Sequence, residues 1–315
     1  MKSPTPQPTM RTRLLSALFT ATIAITTHSA LAASPSGIQA ESWLVIDGES
    51  GQVLAEHNAD AHREPASLTK LMTAYLVFDA LKRGALSWDE KVRISADDTA
   101  SVKSDEAQMY LMAGREVAVR DLVRGLIVAS ANDAALVLAK RLGGSLAGFE
   151  QMMNSKAREL GMNDSHFASP SGITTPNHYS TARDLSTLAL RLTSDFPEYY
   201  SFSSQQHFEY GRFKKQNKNW LLGTDPSVDG LKTGHTKAAG FCIIATARRQ
   251  QSNPPMKRRV FAVLLGAATA KQRISGAHTL LEYGFGSFRD YPAEGAGHQV
   301  VTQPLQAGAT VSHRA

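Results

Sequence analysis

Ser67-Leu68-Thr69-Lys70-Leu71-Met72-Thr73-Ala74-Tyr75-Leu76-Val77-Phe78 sets a hydroxyl and an amine three positions apart at the head of a run that is apolar on almost every side. Pro65-Ala66 precedes the run and Gly84 ends it, so the pattern predicts a helix over 67–83 with Ser67 in its first turn. Such a broad apolar face belongs to a buried central helix rather than a surface one. Positions i and i+3 share a helix face, so Lys70 reaches the Ser67 hydroxyl. Serine needs a base to become a nucleophile, and lysine serves only when burial or a second cation lowers its proton affinity. Taken alone, the spacing also fits a capping serine and a solvated lysine. Leu68, Leu71 and Met72 crowd Lys70 closely for an idle surface charge.

Outward from this helix, residues 42–46 and 52–57 read as a hairpin across a turn at 47–51. Helical patterns follow at 119–129, 133–142, 149–160 and 181–192. The last third returns to strands at 230–235, 241–247 and 260–266, with a closing helix over 270–283. Residues 248–259, around Ser252-Asn253-Pro254-Pro255, read as a solvent loop. Strands at both ends with helices between imply an α+β domain, built on one antiparallel sheet of distant chain segments. Gln299-Val300-Val301 starts a strand with nothing after it to pair against.

Two further motifs fall in order behind the first. Ser130-Ala131-Asn132 lies at the junction of two helices, where Asn132 is also a good N-cap. Lys232-Thr233-Gly234 lies on an apolar strand, where the plain alternative is a basic strand end. In the functional reading Ser130 relays a proton to the leaving group. Asn132 bonds Lys70 and holds the substrate's peptide. Lys232 is the second cation, Thr233 binds a carboxylate, and Gly234 lets substrate backbone approach as an added strand. The backbone N–H groups of Ser67 and His235 form the oxyanion hole. The ordered set is the signature of serine acyl-transferases that react with penicillin.

Bulk properties narrow the setting. Lys2, Arg11 and Arg13, the apolar stretch 14–25 and Ala30-Leu31-Ala32 read as a signal peptide over 1–32, too short to span a bilayer. That segment has no acidic residue, so without it the formal charge falls from +6 to +3. No basic run interleaved with aromatics remains, which argues against nucleic-acid binding. Cys242 is the single cysteine and sits in an apolar run, so it reads as a buried thiol in an exported protein without disulfides. The histidines form no H-E-x-x-H and no Cys/His cluster, so no metal or other cofactor is expected.

From about Ala40 to Arg289 the chain resembles the low-molecular-mass penicillin-binding proteins that are D-alanyl-D-alanine carboxypeptidases (peptidase family S11, the DacA/DacC group). The resemblance rests on Glu64-Pro65-Ala66-Ser67-Leu68-Thr69-Lys70, Ala129-Ser130-Ala131-Asn132-Asp133-Ala134 and Leu160-Gly161-Met162-Asn163. It continues in Tyr179-Ser180-Thr181-Ala182-Arg183-Asp184 and Val228-Asp229-Gly230-Leu231-Lys232-Thr233-Gly234-His235-Thr236. It implies a β-lactamase/DD-peptidase-like fold, with a five-stranded antiparallel sheet flanked by helices and a helical subdomain over 36–289. It implies a metal-free enzyme that removes the terminal D-alanine from peptidoglycan stem pentapeptides through an acyl-serine, with β-lactam antibiotics as covalent inhibitors. It also implies that Arg273, in the turn after the last strand, assists recognition of the terminal carboxylate. Asp184 matches an acidic residue on a loop bordering the site. Against these, the plain readings are a helix-surface arginine and a first-turn carboxylate.

The family usually adds a β-rich second domain and a terminal amphipathic helix. Residues 290–315 are too few for either and read as a remnant or a truncation, so no strong membrane anchor is expected and the mature protein is placed in the periplasm. Three other activities stay open at this stage. A class A β-lactamase needs E-x-x-L-N, and Glu159-Leu160-Gly161-Met162-Asn163 carries Met in the Leu position. A D,D-endopeptidase uses the same machinery on cross-links. A non-catalytic β-lactam sensor ranks last.

Overall fold

Strands β1 (Ser42–Asp47) and β2 (Val53–His57) form the expected hairpin. The computed structural model describes residues 34–293 and 299–305, so the segment read as a signal peptide lies outside the described residues. The chain continues through α1 (Lys70–Lys82), β3 (Lys91–Arg93), α2 (Ala96–Ala100), β4 (Glu116–Ala118) and α3 (Val119–Arg124). Next come α4 (Asn132–Gly143), α5 (Leu146–Glu159), α6 (Ala182–Asp195) and α7 (Tyr200–Ser203). The last part holds β5 (His207–Tyr210), β6 (Phe213–Gln216), β7 (Val228–Thr236), β8 (Gly240–Ser252), β9 (Pro255–Ala267), α8 (Ala270–Ser287), β10 (Phe288–Pro292) and β11 (Val300–Pro304).

The fold is α+β. Five strands run in the order β2-β1-β9-β8-β7 with every neighbour antiparallel. The central pairing, from Ser42↔Leu265 to Asp47↔Val260, joins the two ends of the domain. Side chains alternate between the faces, as the strand period requires. Leu44, Ile46, Ile244 and Val263 meet the helical layer, while Trp43, Val45, Ile243 and Leu264 meet Ala277, Leu280 and Leu281 of α8. The expected buried helix is α1, where Leu71, Met72, Val77 and Phe78 are fully covered. Rings of Trp88, Phe196, Tyr199 and Phe202 surround Phe78 at 5.6–6.0 Å. Each large apolar side chain so buried contributes about 1.5–3 kcal/mol.

Two expectations need correction. Residues 248–259 are not a loop: β8 and β9 run on to Ser252 and Pro255, leaving only Asn253-Pro254 as the turn. Charged residues hide this extension from a hydropathy reading, although Arg249, Arg258 and Arg259 are paired with carboxylates within the structure. Buried Arg258 donates from Nε to Asp47 at 2.9 Å and to Asp290 at 3.0 Å, and from Nη1 to the Gly284 and Phe288 carbonyls at 2.8 Å. The strand at Val300 also has a partner, which precedes it: β11 pairs with β10 from Phe288↔Pro304 to Pro292↔Val300. The two-stranded sheet β3–β4, whose strands are separated by α2, and the hairpin β5–β6, both unread in the sequence, complete the architecture.

Candidate active site

The chain enters α1 through a 3-10 turn at Ala66–Thr69 rather than a regular first helical turn. Ala66 has φ +48°, a left-handed conformation that costs about 1–3 kcal/mol and holds only where the surroundings impose it. Ser67 Oγ then stands 3.1 Å from Lys70 Nζ. Lys70 is 1% exposed and donates to Asn132 Oδ1 and to the Ser171 carbonyl, each at 2.6 Å. Two carbonyl-type acceptors take two N–H bonds, which leaves the third direction of the amine facing the Ser67 hydroxyl. Burial pushes Lys70 down to about 7; the Glu106 carboxylate opposes that effect, Lys215 adds to it, Asp133 opposes it and Lys218 adds to it.

Ser130 arrives by an irregular route. The expected unbroken helix 119–129 widens after α3 into a π-helical turn, Gly125–Ala129, and ends at Ser130 with φ 59° and ψ 34°. Such turns recur at functional sites because one extra residue re-aims the next side chain. Lys232 Nζ donates to Ser130 Oγ at 2.9 Å and to the Thr233 carbonyl at 2.8 Å. Burial first, then the charge of Lys70, holds Lys232 well below its ordinary value. Asn132 is not the helix cap: Ala131 takes that place with extended backbone, and Asn132 is the first residue of α4.

Strand β7 is the outer strand of the sheet and lies against the Ser67 turn. A Cβ on Gly234 would stand 3.0 Å from the Pro65 carbonyl and from Ser67 N, so a side chain here would press on the Ser67 turn. Thr233 is buried at the cleft wall, and exposed His235 stacks on Phe241 with centroids 4.0 Å apart. Arg273 lies in the first turn of α8 rather than in the turn before it, and it is buried, not a surface charge. Its guanidinium reaches the Gly234 carbonyl at 3.5 Å and the Lys218 carbonyl at 3.2 Å, while Nε has no protein partner. Burial pushes Arg273 down to about 10.

Ser67, Ser130, Asn132, Thr233, Gly234, His235 and Arg273 line one cleft of about 410 Å³, with Lys70 and Lys232 hydrogen-bonded from behind its wall. Asp184 does not join them. It stands in the first turn of α6, where its backbone N–H donates to the Thr181 cap at 3.0 Å and its carboxylate faces the loop before the helix. There it accepts from Asp164 N at 2.9 Å and Ser165 Oγ at 2.7 Å, so it braces a loop and does not border the cleft. Glu159 is exposed, pairs with Lys156 at 2.6 Å and also lies off the cleft, so it offers no base for a deacylating water. Cys242 is buried and its thiol is pushed up to about 11 by burial. Among the described residues Asp225, His278 and Glu282 are grouped closely enough to share a cation, but Arg249 already donates to both carboxylates.

Sequence reading missed the segment that closes the site from the third side. Besides the Ser171 carbonyl, Pro170 O accepts from Thr73 Oγ1 at 2.7 Å. Gly172 has φ +79°, and a Cβ there would fall on the Ala66 carbonyl. His178 Nδ1 accepts from Ala168 N at 3.0 Å, so Nε2 bears the proton and donates to Thr69 Oγ1 at 2.8 Å. Burial pushes His178 down to about 4, which keeps that ring neutral. Glu106 was missed as well; it accepts from Asn132 Nδ2 at 2.6 Å.

Comparison with known proteins agrees with this geometry. The family described as D-alanyl-D-alanine carboxypeptidase (peptidase S11) matches residues 29–269. The D-alanyl-D-alanine carboxypeptidase DacA of Haemophilus influenzae is 34% identical over 276 residues, spanning 87% of this chain and 69% of that protein. Penicillin-binding protein 6B from Escherichia coli is 37% identical with a TM-score of 0.81, over 88% of this chain and 87% of that one. Penicillin-binding protein D2 from Listeria monocytogenes, solved in its ampicillin-bound form, is 38% identical with a TM-score of 0.70, over 79% of this chain and 98% of that one.

Proposed function

The chain belongs to the D-alanyl-D-alanine carboxypeptidase family, peptidase S11, and from that premise we propose how its residues release the terminal D-alanine of a peptidoglycan stem pentapeptide. Neutral Lys70 takes the Ser67 hydroxyl proton as Oγ attacks the carbonyl carbon of the penultimate D-alanine. The tetrahedral oxyanion receives hydrogen bonds from the N–H groups of Ser67 and His235; losing one such donor costs roughly 100–1000-fold in rate. As the C–N bond breaks, Ser130, polarised by Lys232, passes its proton to the departing amine and takes one back from Lys70, which is neutral again. Asn132 and the edge of β7 hold the acyl peptide, while Thr233 and Arg273 hold the terminal carboxylate. Water, deprotonated by Lys70, then attacks the acyl carbon, and as the bond to Ser67 Oγ breaks Lys70 returns that proton to the serine oxygen. A β-lactam enters the same path, its amide being the strained ring bond.

The observation that carries this reading is a lysine 1% exposed, held by two carbonyl-type acceptors, with its remaining direction on a serine hydroxyl 3.1 Å away. Mass spectrometry of the purified protein with a pentapeptide and with a cross-linked muropeptide tests it. Loss of one terminal D-alanine from the pentapeptide is expected. Faster cleavage of the cross-link would make it an endopeptidase, rapid penicillin destruction without peptide turnover a β-lactamase, and no product at all a sensor.

Arg273→Ala is expected to lower kcat/KM for the peptide by about 10–100-fold, since charge-assisted hydrogen bonds contribute about 1.5–3 kcal/mol. Acylation by penicillin falls less, because ring strain supplies part of its driving force. Equal losses accompanied by a lowered Tm would assign Arg273 to structure instead.

Export follows as part of the same reading. Residues 1–32 carry the signal pattern, and no helix among the described residues is long and apolar enough to cross a membrane. Cell fractionation should recover the processed protein in the periplasmic fraction; retention in membranes after a salt wash would overturn that.

A further inference from the structure

Glu106 stands on the cleft wall at the end of a loop that Asp133 fastens. Met109 N and Leu111 N donate to the buried Asp133 carboxylate at 3.0 Å, and Asn132 N donates to the Ala107 carbonyl at 2.7 Å. The fastened loop brings Glu106 Oε2 to 2.6 Å from Asn132 Nδ2. A carboxylate accepts and cannot donate, so this contact decides which way the amide of Asn132 faces: NH2 toward Glu106 and Oδ1 toward Lys70. Nδ2 keeps a second N–H for a substrate carbonyl.

The charges around Lys70 are unbalanced. Lys232 faces it from β7, Lys215 from β6, Lys218 from the segment that follows, and Asp133 from α4. The Asp133 carboxylate is engaged by backbone N–H groups, which leaves Glu106 as the anion of the cleft wall nearest this chain of contacts.

We propose that Glu106 is a positioning residue for acylation: it locks the Asn132 amide with its oxygen on Lys70 and supplies the negative charge that steadies Lys70 once it has taken the Ser67 proton. The proposal rests on Lys70 being the base. With Glu106 in place, the ammonium formed in the buried site meets Asn132 Oδ1 and, one side chain further, a carboxylate. Without it, the Ser171 carbonyl still accepts from the ammonium, but the charges around it are lysines and the engaged Asp133.

The test is the pH dependence of kcat/KM for D-alanine release and of penicillin acylation, in wild type, Glu106→Gln and Glu106→Ala. Wild type should show an acid limb near pH 7, where burial places Lys70. Glu106→Gln should move that limb toward lower pH by about half a unit or more, because the anion is gone. Glu106→Ala should do the same and also lose about tenfold on the alkaline plateau, since the Asn132 amide is free to turn. A limb that stays in place in both variants overturns the proposal while leaving Lys70 as base. A wild type with no limb overturns the base and the proposal together. A loss uniform across pH, with lowered Tm, assigns Glu106 to folding alone.

Discussion

Ser67→Ala is expected to abolish covalent labelling by fluorescent penicillin and to lower D-alanine release by on the order of a millionfold, the scale seen when a serine nucleophile is removed. Ser67 supplies the hydroxyl facing Lys70, at 3.1 Å, whereas Ser130 is bonded to Lys232 at 2.9 Å. The substitution removes one half-buried oxygen and no packed carbon, so the fold and Tm should be retained. Gel fluorescence and mapping of the adduct peptide check the result. An adduct on Ser130 or any other serine would transfer the nucleophile there and refute the assignment.

Lys70→Met, of similar length and without charge, should slow acylation by about 100–10,000-fold, the range of general-base assistance. Its effect on Tm should also depend on pH, the variant comparing best with wild type at acid pH. The sign follows from the depressed proton affinity. Lys70 is held at about 7 in the folded protein against an ordinary 10.5, so protonation favours the unfolded chain. That cost is fully present below pH 7 and fades as pH rises toward 10.5, so the Tm of the variant relative to wild type should be higher at pH 6 than at pH 10. Calorimetry at the two values measures it. An equal Tm change at both, or a methionine variant that acylates as fast as wild type, would remove Lys70 from the role of base.

The chemistry was more legible in the sequence than the architecture that aims it. Ser67, Lys70, Ser130, Asn132 and Lys232 announce themselves because each belongs to a short local pattern, and local patterns survive folding unchanged. The Ser171 carbonyl on Lys70 leaves no such trace, since every residue offers a carbonyl. Only Gly172, required by its φ of +79° and its approach to Ala66, hinted at a close contact there. Glu106 reads as one more charge in the polar stretch 103–106, and only the buried Asp133 bonds show that the stretch is fixed. The extension of β8 and β9 was lost because Arg258 and Arg259 look solvated until Asp47, Asp290 and Asp229 are placed beside them. Asp184 was misplaced for the opposite reason: its motif matched, but its carboxylate is taken up by Asp164 N and Ser165 Oγ of another loop.

The pairing of Asp47 with Val260 and Ser42 with Leu265 also has a meaning in time. Strand β1 belongs to the first part of the domain to be made, and its inner partner β9 is the last strand of the sheet in chain order. Contacts this distant in sequence close slowly, because the loop entropy must be lost before the pairing stabilises anything. Until β9 arrives, β8 and β7 have no sheet to join, and the turn bearing Ser67 has no Gly234 strand to lie against. Reactivity toward penicillin is therefore expected only once β9 has paired, so that labelling counts finished molecules rather than total polypeptide.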